Sequence, residues 1–208
     1  MSVLTESHFA AGEARVRSWE KGTGPRVGFL AGLGGATRWT PFLERLARER
    51  TVVVPSLPGF PGGDRGHDRL DHIVDWIAAT LDVLEGAGLA GCDLVGASVG
   101  GMLAAEAAAM NPSMVRRLAL LAPFGLFDEA EPLADVFASL PAELGALLCS
   151  HPEYLDHHVT APRGESEAEW SIVMTRAADA AARLLWPIPD RGLAERLRRV
   201  RCPTLVVW

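Results

Sequence analysis

The order of elements along this chain predicts an α/β protein: a mostly parallel central sheet, helices on both of its faces, and a helical lid inserted late. Three observations lead there. Val27–Leu30, Thr51–Val54, Cys92–Val95 and Val115–Ala122 are short continuous apolar runs, the pattern of strands covered on both faces. Segments of helical periodicity fill the gaps between them. One strand, Cys92–Val95, runs through Gly96-Ala97-Ser98-Val99-Gly100 into an alanine-rich helix that stops at Asn111-Pro112.

In chain order, residues 8–20 alternate loosely, with Ala14, Val16 and Ser18 set against Arg15, Arg17 and Trp19, and predict one or two edge strands. Lys21-Gly-Thr-Gly-Pro25 has turn composition and predicts a hairpin into the next strand, Val27–Leu30. That strand empties into Ala31-Gly-Leu-Gly-Gly35, where backbone can approach a ligand closely. Thr40-Pro41 opens a helix, threonine as its cap and proline in its first turn. The strand Thr51–Val54 then enters a loop rich in proline and glycine, 55–63, with His67 just beyond as a solvated loop residue. Asp71 is placed to cap a helix whose face is Leu70, Ile73, Val74, Ile77, Leu81 and Leu84. From Phe124 the rhythm breaks. Pro132–Leu140, Ala142–Cys149, Glu167–Arg176 and Ala177–Trp186 read as short helices, and Leu193–Val200 as a last one before the strand at Thr204. The boundaries expected are a first part of the core at 1–126, a helical cap at 127–190, and core resuming at 191–208.

The strand, G-x-S-x-G, helix succession is the context of a nucleophile elbow. Gly96 and Gly100 supply positions without a Cβ where strand end and helix start nearly touch. Ser98 is thereby held above a helix N-terminus, whose free N–H groups and positive dipole end favour a developing oxyanion. The same glycines fit a dinucleotide-binding turn poorly, for want of G-x-G-x-x-G spacing.

Composition excludes several classes. The chain has 208 residues, 49% hydrophobic and 22% charged, with a net charge of −6, which argues against nucleic acid as a partner. The basic stretch Arg191–Arg201 alternates with apolar residues and contains Glu195, as a solvated helix face would. Cys92, Cys149 and Cys202 are at no metal-ligand spacing and read as small core residues of a reducing compartment. His151, His157 and His158 lack a partner acid or cysteine at metal spacing, so no metal and no cofactor is expected. There is no secretion signal and no membrane-length apolar run, and the expected location is cytoplasmic. The partner expected is a small-molecule substrate, with a homodimer possible and neither membrane nor nucleic acid involved.

Four blocks in order, FLAGLGG, VVVPSLPGFPGG, LVGASVGG and RCPTLVVW, give the chain a resemblance to the α/β-hydrolase superfamily. The branch it resembles is that of small capped esterases, C–C bond hydrolases and cofactor-free haloperoxidases. The resemblance implies Ser98 as nucleophile and the backbone N–H groups of Leu33 and Val99 as oxyanion hole, with Gly32, Gly34, Trp39 and Phe124 around the substrate. It implies action on a small, largely apolar ester, lactone or C–C bond. Two departures stand out. Ala31 occupies the place of a histidine that in the family braces the loop. The family's acid and histidine would fall beyond Trp208, on roughly 50–60 further residues, so the chain reads as C-terminally truncated. Within the chain, Asp128 is where some relatives put the acid, although acids in such linkers are more often merely solvated. The aromatics Phe124, Phe127, Trp170 and Trp186 fit either a pocket lining or plain core. The competing reading is a non-catalytic relative that binds a ligand or serves as a scaffold.

Overall fold

A computed structural model of the chain describes residues 2–139, 141–154, 160–162, 164–188 and 190–208. Seven strands form one sheet: β1 (Thr5–Ala11), β2 (Ala14–Lys21), β3 (Arg26–Leu30), β4 (Thr51–Pro55), β5 (Cys92–Ala97), β6 (Val115–Leu121) and β7 (Thr204–Val207). Their order is β1-β2-β4-β3-β5-β6-β7. β1 and β2 form an antiparallel hairpin that turns at Gly12, and β2 pairs antiparallel with β4. All remaining pairs are parallel. The expected hairpin from β2 into β3 is corrected: β4 lies between them, and Gly22 and Gly24 carry the chain over at φ 102 and 118. Glycine suits that turn because a Cβ on Gly24 would stand 2.7 Å from Glu49 O.

Alternation along the central strands supplies both faces. Val52 and Val54 join Trp19, Val27 and Leu43 in a smaller cluster under α1 (Pro41–Leu46). Val53 points the other way, into the main core with α2 (Ile73–Gly86) and α3 (Val99–Met110). Thr40 caps α1 as expected. The cap of α2 is His72 rather than Asp71, and the Asp75 carboxylate accepts its N–H at 2.8 Å. α3 is buried from Val99 to Ala109, and its alanines let it lie close on β5 and β6.

Between β6 and β7 come α4 (Pro141–Leu148), α5 (Glu167–Leu185) and α6 (Leu193–Leu197), with no strand among the described residues there. Two expected helices, Glu167–Arg176 and Ala177–Trp186, are one continuous helix, α5. Pro132–Leu140 forms no helix over its described residues; turns at 136–138 take its place. No helix among the described residues is long and apolar enough to cross a membrane.

Candidate active site

β5 ends at Ala97 and α3 begins at Val99, so Ser98 alone makes the turn. Its backbone stands at φ 50, ψ −118, a region that a residue with a Cβ adopts at a cost of about 1–3 kcal/mol. Hydrogen bonds on both sides hold it there. Ser98 N–H donates to Leu121 O at 2.9 Å, while Ser98 O accepts from Met102 N–H at 3.1 Å and Phe124 N–H at 3.0 Å. The glycines around it are required by contact. A Cβ on Gly96 would stand 2.5 Å from Gly100 O, and one on Gly100 would strike the carbonyls of Leu30 and Ala31. The other non-glycine residue at positive φ among the described ones, Ala122 at φ 41, lies where β6 ends beside the elbow.

The loop after β3 meets Ser98 directly. Gly35 N–H donates to Gly32 O at 2.9 Å and closes a turn with Leu33 and Gly34 at its centre. A Cβ on Gly32 would lie 3.2 Å from Ser98 Cβ and 3.8 Å from Ser98 Oγ. The Val99 N–H precedes the first intrahelical bond of α3, that of Met102 N–H, and is one of the unsatisfied donors of a helix start. Among the described residues, neither Leu33 N–H nor Val99 N–H has a hydrogen-bond acceptor, and Ser98 Oγ has no hydrogen-bond partner.

Arg17 braces this loop from β2. Its Nη2 donates to Ala36 O at 2.7 Å and to Pro61 O at 3.3 Å, tying the loop after β3 to the loop after β4. The guanidinium lies 3.7 Å over the Trp19 ring. Burial lowers its pKa from the ordinary value, opposed by Glu6 and Glu165, and it stays charged at neutral pH. Ala31 leaves the loop without a bracing histidine, and Arg17 supplies a brace from another strand. The loose alternation of residues 14–19 locates the strand but gives no sign of this contact.

The remaining positions spread apart. Gly34 faces Met174 of α5, whose Cε would be 3.9 Å from a Cβ there. Trp39 packs with the smaller cluster and its indole donates to Glu44 at 2.8 Å, away from Ser98. Phe124 lines a crevice with Met102, Phe127, Leu185 and Arg191. A second crevice, bounded by Gly32, Ser56, Leu57, Phe60 and Val99, has a volume of about 10 Å³, room for roughly one water molecule. Trp170 is core, whereas Trp186 is exposed.

Histidines and acids take other roles. Asp128 is exposed and its carboxylate accepts Ala130 N–H at 2.9 Å, as a turn residue does. His151 pairs with Glu153 at 3.2 Å. His157 and His158 lie outside the described residues. His67, expected in solvent, is 1% exposed. It sits in a 3₁₀ turn, Arg65–Arg69, with its Nε2 3.1 Å from Asp179 Oδ2 on α5.

The basic stretch 191–201 is likewise not a solvated face throughout. Arg196 makes a bidentate pair with Glu106 of α3, both bonds 2.6 Å, and donates to Arg191 O. Glu106 is 1% exposed, and its partner's pKa is raised by this hydrogen bonding. Arg199 donates to Ala109 O at 3.2 Å near the C-terminal end of α3. A single acid in an otherwise apolar helix was the readable signal for a buried cation opposite it.

The chain resembles known proteins in both sequence and fold. A family model described as alpha/beta hydrolase fold matches residues 25–157. The chain is 31% identical over 137 residues to 2-hydroxy-6-oxo-2,4-heptadienoate hydrolase of Pseudomonas putida, covering 64% of this chain and 50% of that protein. It is 33% identical over 141 residues to 2-hydroxymuconate semialdehyde hydrolase of a Pseudomonas species, with the same coverage. It therefore spans about half the length of these relatives. The solved structure of a 2-hydroxy-6-oxo-6-phenylhexa-2,4-dienoate hydrolase from Rhodococcus superposes with a TM-score of 0.64 at 22% identity, over 99% of this chain and 81% of that one. Sequence match, strand order and elbow agree: the chain belongs to the α/β-hydrolase fold family.

Proposed function

We propose that Ser98 is the nucleophile of a serine-type hydrolase acting on a small, largely apolar ester, lactone or C–C bond substrate. The observation that carries this is the strained Ser98 backbone, φ 50, held against Gly32 of the loop after β3. Strain of this kind persists only where the surroundings enforce it, and it gathers at reacting residues. The substrate oxygen sits between the N–H groups of Leu33 and Val99, which stabilise the negative charge that develops as Ser98 Oγ attacks. Residues 127–190 act as a cap over this end of the sheet. A serine hydroxyl needs a base within hydrogen-bond reach. Since Ser98 Oγ has none among the described residues, the histidine and its acid come in this reading from beyond Trp208. Two C–C bond hydrolases, each matched over only half of its own length, favour that arrangement.

The test is labelling and turnover with the full-length protein. A fluorophosphonate adds its mass to Ser98, and Ser98→Ala loses the label together with at least about 10⁴-fold of the turnover of short acyl esters or 2-hydroxy-6-oxodienoates. Turnover surviving in Ser98→Ala overturns the assignment. The second reading, a non-catalytic ligand-binding relative, is favoured by the lone Ser98 Oγ. It wins if the full-length protein neither labels nor turns over while still binding such a compound.

A further inference from the structure

We propose that the pair His67–Asp179 is a latch that holds α5 down on the loops at the Ser98 end of the sheet. The latch stands on geometry apart from the reading of Ser98 above. α5 closes on the loop after β4 at three points. Ala180 packs so near Gly59 that a Cβ on that glycine would stand 2.6 Å from the alanine's and 2.5 Å from the His67 ring. Arg176 Nε donates to Gly59 O at 3.3 Å. His67 Nε2 meets Asp179 Oδ2 at 3.1 Å.

Further along, Met174 reaches Gly34, so the same helix roofs the loop that carries Leu33. α5 carries its polar groups, half-exposed Asp179 and Arg183, on its outer side, with the apolar face of Ala177, Ala181 and Leu184 beneath.

Of the two carboxylates at His67, only that of Asp179 belongs to α5 and can fasten the helix to the turn. From its own turn, Asp68 Oδ1 stands 3.5 Å from Nε2 but has Arg65 at 3.1 Å. From α5, Arg183 reaches Asp179 at 3.3 Å and Asp71 at 3.8 Å. His67, Asp68 and Asp179 also lie close enough to hold a metal ion. That arrangement fits worse. A cation would take the Nε2 lone pair and leave the ring proton on Nδ1, which is buried with no acceptor among the described residues. With the proton on Nε2 the ring donates to Asp179, and Nδ1 is only an unused acceptor.

The test is hydrogen exchange of Asp179→Ala at an exposed site, where the higher helix propensity of alanine offsets the loss of the i,i+4 pair with Arg183 within α5. Amides of α5 should exchange roughly three- to tenfold faster, as for a lost charge-assisted hydrogen bond, with amides of β3, β5 and β6 unchanged. Unchanged exchange in α5, or an equal rise throughout the sheet, overturns the latch. Slowing of α5 exchange by added zinc in the parent but not in Asp179→Ala overturns it in favour of a cation site. None of these readouts uses turnover, so a failed latch and a failed nucleophile are told apart.

Discussion

Gly32 and Gly34 stand two residues apart in one turn and face different neighbours. A methyl group on Gly32 would press on Ser98 Cβ at 3.2 Å, while one on Gly34 meets only the flexible end of Met174 at 3.9 Å. Neither glycine has the positive φ that would strain any side chain, so space alone separates them. Under the proposed role of Ser98, Gly32→Ala should lower turnover by roughly 10- to 100-fold, because a displacement of a few tenths of an ångström would misalign Ser98 Oγ and the Leu33 and Val99 N–H groups. Gly34→Ala should stay within about twofold, since Met174 adapts. Parallel kinetics and thermal melts of the two variants check this, and equal losses in both would remove the special place given to Gly32. Ser98 was legible in sequence because its turn demands glycine at fixed offsets. Arg17 and His67 were not, since periodicity reports which face a residue is on and says nothing of a carbonyl or carboxylate arriving from a distant element.

Among elements, α3 and α6 show how a buried charge ties the helix behind Ser98 to the segment that leads into β7. Glu106 is fully buried and Arg196 keeps about a quarter of its side chain exposed. Arg196→Met leaves a carboxylate without its cation, which should cost about 2–3 kcal/mol. That lies below the roughly 3–5 expected of a wholly buried pair, because solvent reaches the arginine. Glu106→Leu combined with Arg196→Met should recover most of the loss. Urea denaturation of the single and double variants measures both, and additivity of the two losses would show that the residues do not act as a pair. Helix extents were only partly legible. α5 is continuous because Trp170, Ala177, Ala181 and Leu184 keep one face buried across the point where two helices were expected. Residues 132–139 look helical by composition. There the Asp135 carboxylate instead accepts the N–H groups of Phe137 and Ala138, a local turn that competes with the helix.

At the scale of the molecule, the parallel centre of the sheet was readable from its apolar runs, whereas the place of β2 beside β4 depends on pairing that no local pattern encodes. The same runs make one more demand. A parallel strand is apolar on both faces because it is covered on both, and β7 is not: Leu205, Val206 and Val207 are 60%, 56% and 45% exposed, and Trp208 follows them. β7 pairs with β6 along one edge and, among the described residues, presents the other edge unpaired. An apolar strand with a free edge is a template for further pairing. The 208-residue chain in isolation should therefore self-associate, with a sedimentation-average mass that rises with concentration. Val206→Lys, a charge set on that edge strand, should hold it at the monomer mass without altering the melt of the core. A parent that sediments as a monomer at every concentration would mean that this edge does not recruit a second copy.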